Sequence, residues 1–204
     1  MGLPVIEPYP LPTRPPEGRV GWQLDPGRAA LLVHDMQNHF LAPFRAAPIP
    51  EVIGNIQRLR EHCADAGMPV LYSAQPGAQR PQQRGLLTDF WGPGLGAEPF
   101  AAAIVDELKP EDPGAVLTKW RYSAFVRTDL AERLDGRDQL ILVGVYAHIG
   151  VLTTALDAFM RDIQPFVVAD AVADFSLGHH ESALDYAASR CARVVSTGQI
   201  VGGS

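Results

Sequence analysis

Lysine is nearly missing from this chain. Of its 17 basic residues only Lys109 and Lys119 are lysines, and the rest are arginines. Acidic residues number 23, which leaves a formal net charge of −6. A chain poor in positive charge is badly suited to nucleic acid, whose binding rests on basic patches that neutralise phosphates. Cysteine is scarce too: Cys63 and Cys191 show neither a CxxC nor a zinc-ligand spacing, and both read as packing residues. No apolar run approaches the roughly 18–20 residues that a membrane-spanning helix needs. The opening segment MGLPVIEPYPLPTRPPEGRVGW has neither the basic start nor the apolar centre of a secretion signal. Together these absences predict a soluble, cytoplasmic protein with neither nucleic acid nor membrane among its partners. What is present, 204 residues with 47% hydrophobic, is enough for one sizeable core and too apolar for a disordered chain.

Proline is concentrated at the start, at Pro4, Pro8, Pro10, Pro12, Pro15 and Pro16. Each fixes φ and removes a donor, so residues 1–27 read as an extended arm strapped over a single domain at 28–204. Within that domain, apolar runs at 29–33, 69–74, 115–118, 139–145, 165–169 and 192–196 read as strands buried on both faces. Helical patterns fall between them, at 52–66, 100–108, 128–134, 149–161 and 178–190. The 149–161 segment presents Leu152, Leu156, Phe159 and Met160 as its apolar positions. Residues 75–96, rich in Gly, Pro and Gln, read as a long functional loop. Alternating strands and helices predict an α/β fold: a three-layer α/β/α sandwich around a mostly parallel six-stranded sheet, Rossmann-like in kind.

In such sheets ligands bind beyond the carboxyl ends of the strands. The residues placed there are His34 and Asp35, Gln75, Lys119 to Arg121, Tyr146 to His148, and Asp170. Asp35 could equally be a cap or surface-turn carboxylate, and Lys119 a solvated strand-end charge. A lysine in a chain that otherwise uses arginine weakens the second alternative. His34 and His39 are five apart and share no helical face, and no carboxylate–histidine cluster has ligand spacing, so no metal is expected. His179 and His180 read as a solvated pair at a helix start. GPGLG (92–96) does not join a strand to a helix, and there is no GxSxG elbow.

Several segments resemble the isochorismatase-like hydrolases, in order and over nearly the whole chain. They are AALLVHDMQNHF (29–40), YSAQPG (72–77), RGLLTDFWGPG (84–94), TKWRYSAF (118–125), the long stretch 138–176 and YAASRCARVV (186–195). Cysteine-dependent amidases of this family, the nicotinamidases among them, use an Asp–Lys–Cys triad. Asp35 and Lys119 match its first two members, while the cysteine position is read as Val151. An alkyl side chain cannot attack a carbonyl, so covalent amide hydrolysis is not expected. The resemblance implies instead the vinyl-ether hydrolases of siderophore and phenazine pathways, and the absence of a carrier segment after the last strand favours the phenazine type. It implies a small dicarboxylate substrate, either isochorismate or 2-amino-2-deoxyisochorismate, a homodimer and no cofactor.

Asp35 and Lys119 are then the catalytic candidates. The resemblance assigns Gln75, Arg84, Tyr146 and the backbone around Gly150 to substrate binding, with Trp91 covering the ring and the 75–96 loop acting as a lid. Breaking a vinyl ether requires protonation of its terminal carbon, which needs a positioned acid. Asp35 must hold a proton for this, and Lys119 opposes it unless the lysine turns to the substrate.

Overall fold

The computed structural model describes residues 2–202 and leaves Met1, Gly203 and Ser204 outside the description. Six strands form one sheet in the order β3-β2-β1-β4-β5-β6: β1 (Ala29–His34), β2 (Val70–Ala74), β3 (Val116–Thr118), β4 (Gln139–Val145), β5 (Gln164–Ala173) and β6 (Arg193–Val195). Every pairing is parallel. The central strands are buried throughout, and their side chains alternate between two apolar clusters. Leu31, Val33, Ile141 and Val143 enter one, and Ala30, Leu32, Leu140 and Leu142 enter the other. That alternation is why the runs are continuously apolar: each face of the sheet is covered.

The long amphipathic helix α2 (Ile49–Asp65), preceded by the one-turn α1 (Asn38–Leu41), covers the first face with Val52, Ile56 and Leu59. Inside the 75–96 segment lie α3 (Pro81–Arg84) and α4 (Leu87–Trp91), so what reads as a loop is two short helices joined by glycine turns. The expected 100–108 helix is broken instead into α5 (Pro99–Ala102) and a 3-10 turn, with an antiparallel bridge from Ile104 to Gln37 between them. A short α6 (Leu130–Arg133) follows β3. The 149–161 helix begins as a π-helical turn (Ala147–Val151) and continues as α7 (Leu152–Met160). Its buried residues are Thr154, Ala155 and Ala158, while Phe159 and Met160 are exposed. Small side chains there let the helix lie close on the sheet; Leu152 and Leu156 are half-buried against the second apolar cluster, and only Phe159 and Met160 of the expected apolar positions turn outward. The helices α8 (Leu177–Arg190) and α9 (Thr197–Val201) complete the two layers. No helix among the described residues is long and apolar enough to cross a membrane.

A register shift between Leu142 and Gly144 bulges β5 and lengthens it to Ala173. Asp170 therefore lies within the strand and not beyond it. Its carboxylate accepts from the Thr197 N–H at 2.7 Å and the Thr197 hydroxyl at 2.8 Å, so it anchors α9 and takes no part in the strand-end site. His180 is likewise corrected. It is fully buried on α8, with Nε2 at 3.0 Å from the Ala169 carbonyl, whereas His179 is exposed.

Candidate active site

The strand order reverses between β1 and β4, and beyond their carboxyl ends lies a cavity of about 380 Å³. Asp35 leaves β1 with φ 51°, in the left-handed region that aspartate tolerates better than most residues. Its carboxylate is held from two other strands. The Ser73 hydroxyl of β2 donates to Oδ1 at 2.6 Å, and the Lys119 ammonium donates to Oδ2 at 2.7 Å. The parallel ladder carries Lys119 to this point, since its N–H continues β3 by bonding the Ala74 carbonyl at 2.9 Å. Gln75 Nε2 lies 3.5 Å from Oδ2. Lys119 is 1% exposed and Asp35 5%, so this is a desolvated ion pair and neither group is a solvated strand-end charge.

Burial pushes the Asp35 carboxyl up. The Lys119 charge and the hydrogen bonds from Lys119 and Ser73 outweigh it and hold the group below the ordinary carboxylate range. Without substrate, Asp35 is a carboxylate. His34 lies behind it, fully buried, with its pKa brought down to about 4, chiefly by desolvation. Its Nδ1 is 3.1 Å from the Val145 carbonyl and its Nε2 is 3.2 Å from the Thr154 hydroxyl. A neutral imidazole thus ties β1, β4 and α7 together directly beneath the carboxylate.

Arg84 is delivered by the short helix α3 and is 5% exposed. Its Nε donates to the Gly92 carbonyl at 2.6 Å, while its Nη1 is buried with no hydrogen-bond partner among the described residues. The side chain packs where a Cβ on Gly94 would stand, and Gly94 has φ 78°. A buried guanidinium remains cationic, and Arg84 lines a cavity in which Asp35 is the one carboxylate among the described lining residues. That arrangement suits a carboxylate ligand. Trp91 closes α4, donating its indole N–H to the Tyr122 hydroxyl at 2.7 Å and meeting Phe175 edge-on at 6.1 Å.

Gln75, Arg84, Trp91, Lys119, Tyr146 and Gly150 all line the cavity with Asp35. Two roles change. The Tyr146 hydroxyl donates to the Phe40 carbonyl at 2.6 Å, so the residue offers its ring and backbone and not a free phenol. Val151 is buried in the apolar cluster on the other face, and Gly150 and Ile149 are the lining residues of that turn. The wider π-helical turn carries Val151 past the cavity. The position facing the carboxylate–lysine pair is therefore Gly150, whose absent Cβ leaves room for the His34 ring. Neither Val151 nor Gly150 carries a nucleophile, and neither cysteine lines the cavity.

Three residues were not singled out from sequence. Ser73 is one. Gln37 is another: fully buried, it accepts the Gln75 N–H at 2.8 Å and donates to the Gln75 carbonyl at 2.8 Å, which fixes that residue's backbone. The third is Asp174, a fully buried carboxylate that receives the His148 N–H at 2.6 Å and lies 2.5 Å from its Nδ1. The signal for Gln37 was its place two residues after Asp35. Asp174 was hidden by the β5 bulge. Among the described residues no group of three or more His, Cys, Asp or Glu is arranged to hold a metal ion.

A family model described as Isochorismatase domain matches residues 29–199. The chain is 55% identical to a protein named Isochorismatase from Bacillus subtilis (strain 168), across 98% of this chain and 66% of that one, just under two thirds of its length. It is also 55% identical to the phenazine biosynthesis protein PhzD of Pseudomonas fluorescens, across 98% of this chain and 99% of that protein. Among solved structures, a cysteine hydrolase from Pseudomonas syringae pv. phaseolicola 1448A superposes with a TM-score of 0.79. It covers 92% of this chain and 96% of the other at 22% identity, which is a likeness of fold.

Proposed function

This chain belongs to the isochorismatase family, and we propose that within it the protein hydrolyses the enolpyruvyl ether of 2-amino-2-deoxyisochorismate, releasing pyruvate and trans-2,3-dihydro-3-hydroxyanthranilate. The observation that carries this reading is the buried Asp35–Lys119 pair in a cavity that no cysteine, serine or threonine lines among the described residues. Such a site can move a proton but cannot form an acyl-enzyme.

The substrate brings two carboxylates. One pairs with the open side of Arg84, and the other draws on the Lys119 ammonium. Their negative charge beside Asp35 reverses the balance that keeps it ionised, so Asp35 takes up a proton on binding. It delivers that proton to the terminal methylene carbon. The C=C electron pair forms the new C–H bond and leaves an oxocarbenium ion. Water adds to the cationic carbon and returns a proton to the Asp35 carboxylate. The hemiketal then collapses: Asp35 gives its proton to the ring oxygen as the bond from that oxygen to the former cationic carbon breaks, and the hemiketal hydroxyl returns its proton to Asp35 as the carbonyl of pyruvate forms. Trp91 and the α3–α4 segment exclude bulk water from the cation.

The name of the P. fluorescens relative supports the amino substrate. The equally similar B. subtilis relative supports a second reading, hydrolysis of isochorismate itself. Pyruvate release from each compound, compared as kcat/KM, decides between them. Asp35→Asn is expected to abolish turnover while still binding substrate by calorimetry. An active Asp35→Asn enzyme refutes the assignment.

A further inference from the structure

The proline-rich arm reaches the site. Gly2 and Leu3 line the cavity together with His39, Phe40 and Tyr146, and Leu3 also packs against the main apolar cluster. Nothing about the arm's composition requires this, since a surface strap could end anywhere. Two anchors bring it there. Ile6 is fully buried and forms a parallel bridge to Phe44: its N–H donates to the Pro43 carbonyl at 3.0 Å, and its carbonyl accepts from the Arg45 N–H at 3.3 Å. Phe44 in turn stacks on Tyr146 at 6.1 Å.

Tyr9 is the second anchor. Its buried hydroxyl accepts the Asp174 N–H at 2.7 Å and lies 3.3 Å from His180 Nδ1. Asp174 holds the His148 N–H, and His148 sits in the π-helical turn that carries Gly150. From Leu3 to Tyr9 every third residue turns inward: Ile6 and Tyr9 are buried and Leu3 is half-buried at the cavity, while the residues between them are exposed, Val5 to 63%.

We propose that Leu3 is a substrate-contacting wall residue, and that the arm, pinned by Ile6 and Tyr9, completes the binding pocket for a dianionic ligand. This rests on the vinyl-ether reading above. An apolar side chain at that place keeps the wall free of charge, so that among the described lining residues the charged side chains are Arg84, Lys119 and Asp35. A charge introduced at position 3 must then act on the substrate carboxylates according to its sign, whereas the same charge at position 5 faces solvent and is screened.

The test compares steady-state pyruvate release by the full chain and by Leu3→Glu, Leu3→Lys and Val5→Glu, with thermal melting to verify that each is folded. Leu3→Glu is expected to raise KM about tenfold or more, with kcat within about twofold. Leu3→Lys is expected to lower KM, and Val5→Glu to match the unsubstituted protein. The proposal is overturned if both charges at position 3 shift KM alike, if Leu3→Glu leaves KM unchanged, or if Val5→Glu raises it as much. If the unsubstituted protein releases no pyruvate from either compound, the vinyl-ether reading fails and the wall assignment falls with it. Failure of the position-3 pattern in an active enzyme removes the arm alone.

Discussion

Replacing Lys119 by methionine keeps most of the side-chain volume and removes the partner of a carboxylate that is 6% exposed and 2.7 Å away. Orphaning one member of a buried ion pair costs about 3–5 kcal/mol, far more than the ~0–1 kcal/mol of an exposed pair. The cost depends on pH, and its direction follows from the groups around Asp35. In the unsubstituted protein the carboxyl is held below its ordinary range. It contributes stability at all pH values above the unfolded pKa of about 3.9, and that contribution is lost as pH falls through the folded value. In Lys119→Met, burial is left without its main opponent, so the Asp35–His34 pair takes up a proton in the folded state. That contribution is present at low pH and lost as pH rises through the raised folded value. The stability gap between the two proteins is therefore expected to widen from pH 5 to pH 8, by up to about 1.4 kcal/mol per pH unit across the interval where only the folded variant is protonated. Urea unfolding at several pH values, followed by tryptophan fluorescence at constant m-value, measures it. All other titrating groups are common to both proteins and cancel in the difference. Adding Asp35→Asn to Lys119→Met is expected to flatten the dependence. A gap that is independent of pH, or below about 1 kcal/mol at pH 8, refutes the reasoning.

Three further outcomes are expected. Arg84→Met should raise KM for a dicarboxylate substrate about 10–100-fold, the loss of a charge-assisted pair worth roughly 1.5–3 kcal/mol, and an unchanged KM in steady-state assays removes Arg84 from binding. Gly150→Ala places a methyl group on the buried His34 ring, so it should cost about 1–3 kcal/mol in urea unfolding, with wild-type stability counting against the described packing. Burial pushes the Cys63 thiol up to about 12 and the Cys191 thiol to about 11. Iodoacetamide at neutral pH is expected to leave both unlabelled and activity intact, and activity lost in proportion to label would point to a thiol-dependent reaction.

The sheet was readable because its strands are buried on both faces, which writes them as uninterrupted apolar runs. The strand-end rule then found Asp35, Gln75 and Lys119, because parallel pairing brings successive strand ends to one edge whatever the loops do. Arg84 and Trp91 lay in a segment with no hydrophobic period, and helices of four and five residues leave none to read. Asp170 was misplaced because one register shift in β5 moves every later residue along the edge, and a bulge has no reliable mark in sequence. Val151 was preferred to Gly150 because a π-helical turn rotates differently from an α-helical one. On α7 Leu152 and Leu156 pack as their spacing suggests, but Phe159 and Met160 do not, since the alanines and the threonine that pack closest count least in a tally of large side chains.

The backbone at Asp35 also limits what evolution and the experimenter can place there. A left-handed φ of 51° is comfortable for glycine and tolerable for asparagine and aspartate, and it costs other residues on the order of 1–2 kcal/mol. Of the three residues admitted, glycine has no side chain and asparagine no exchangeable acid. The conformation of the turn and the need for a proton donor thus select the same side chain by separate routes. Alanine or valine at position 35 would add backbone strain to the loss of the acid, whereas asparagine removes the acid and leaves the backbone unstrained.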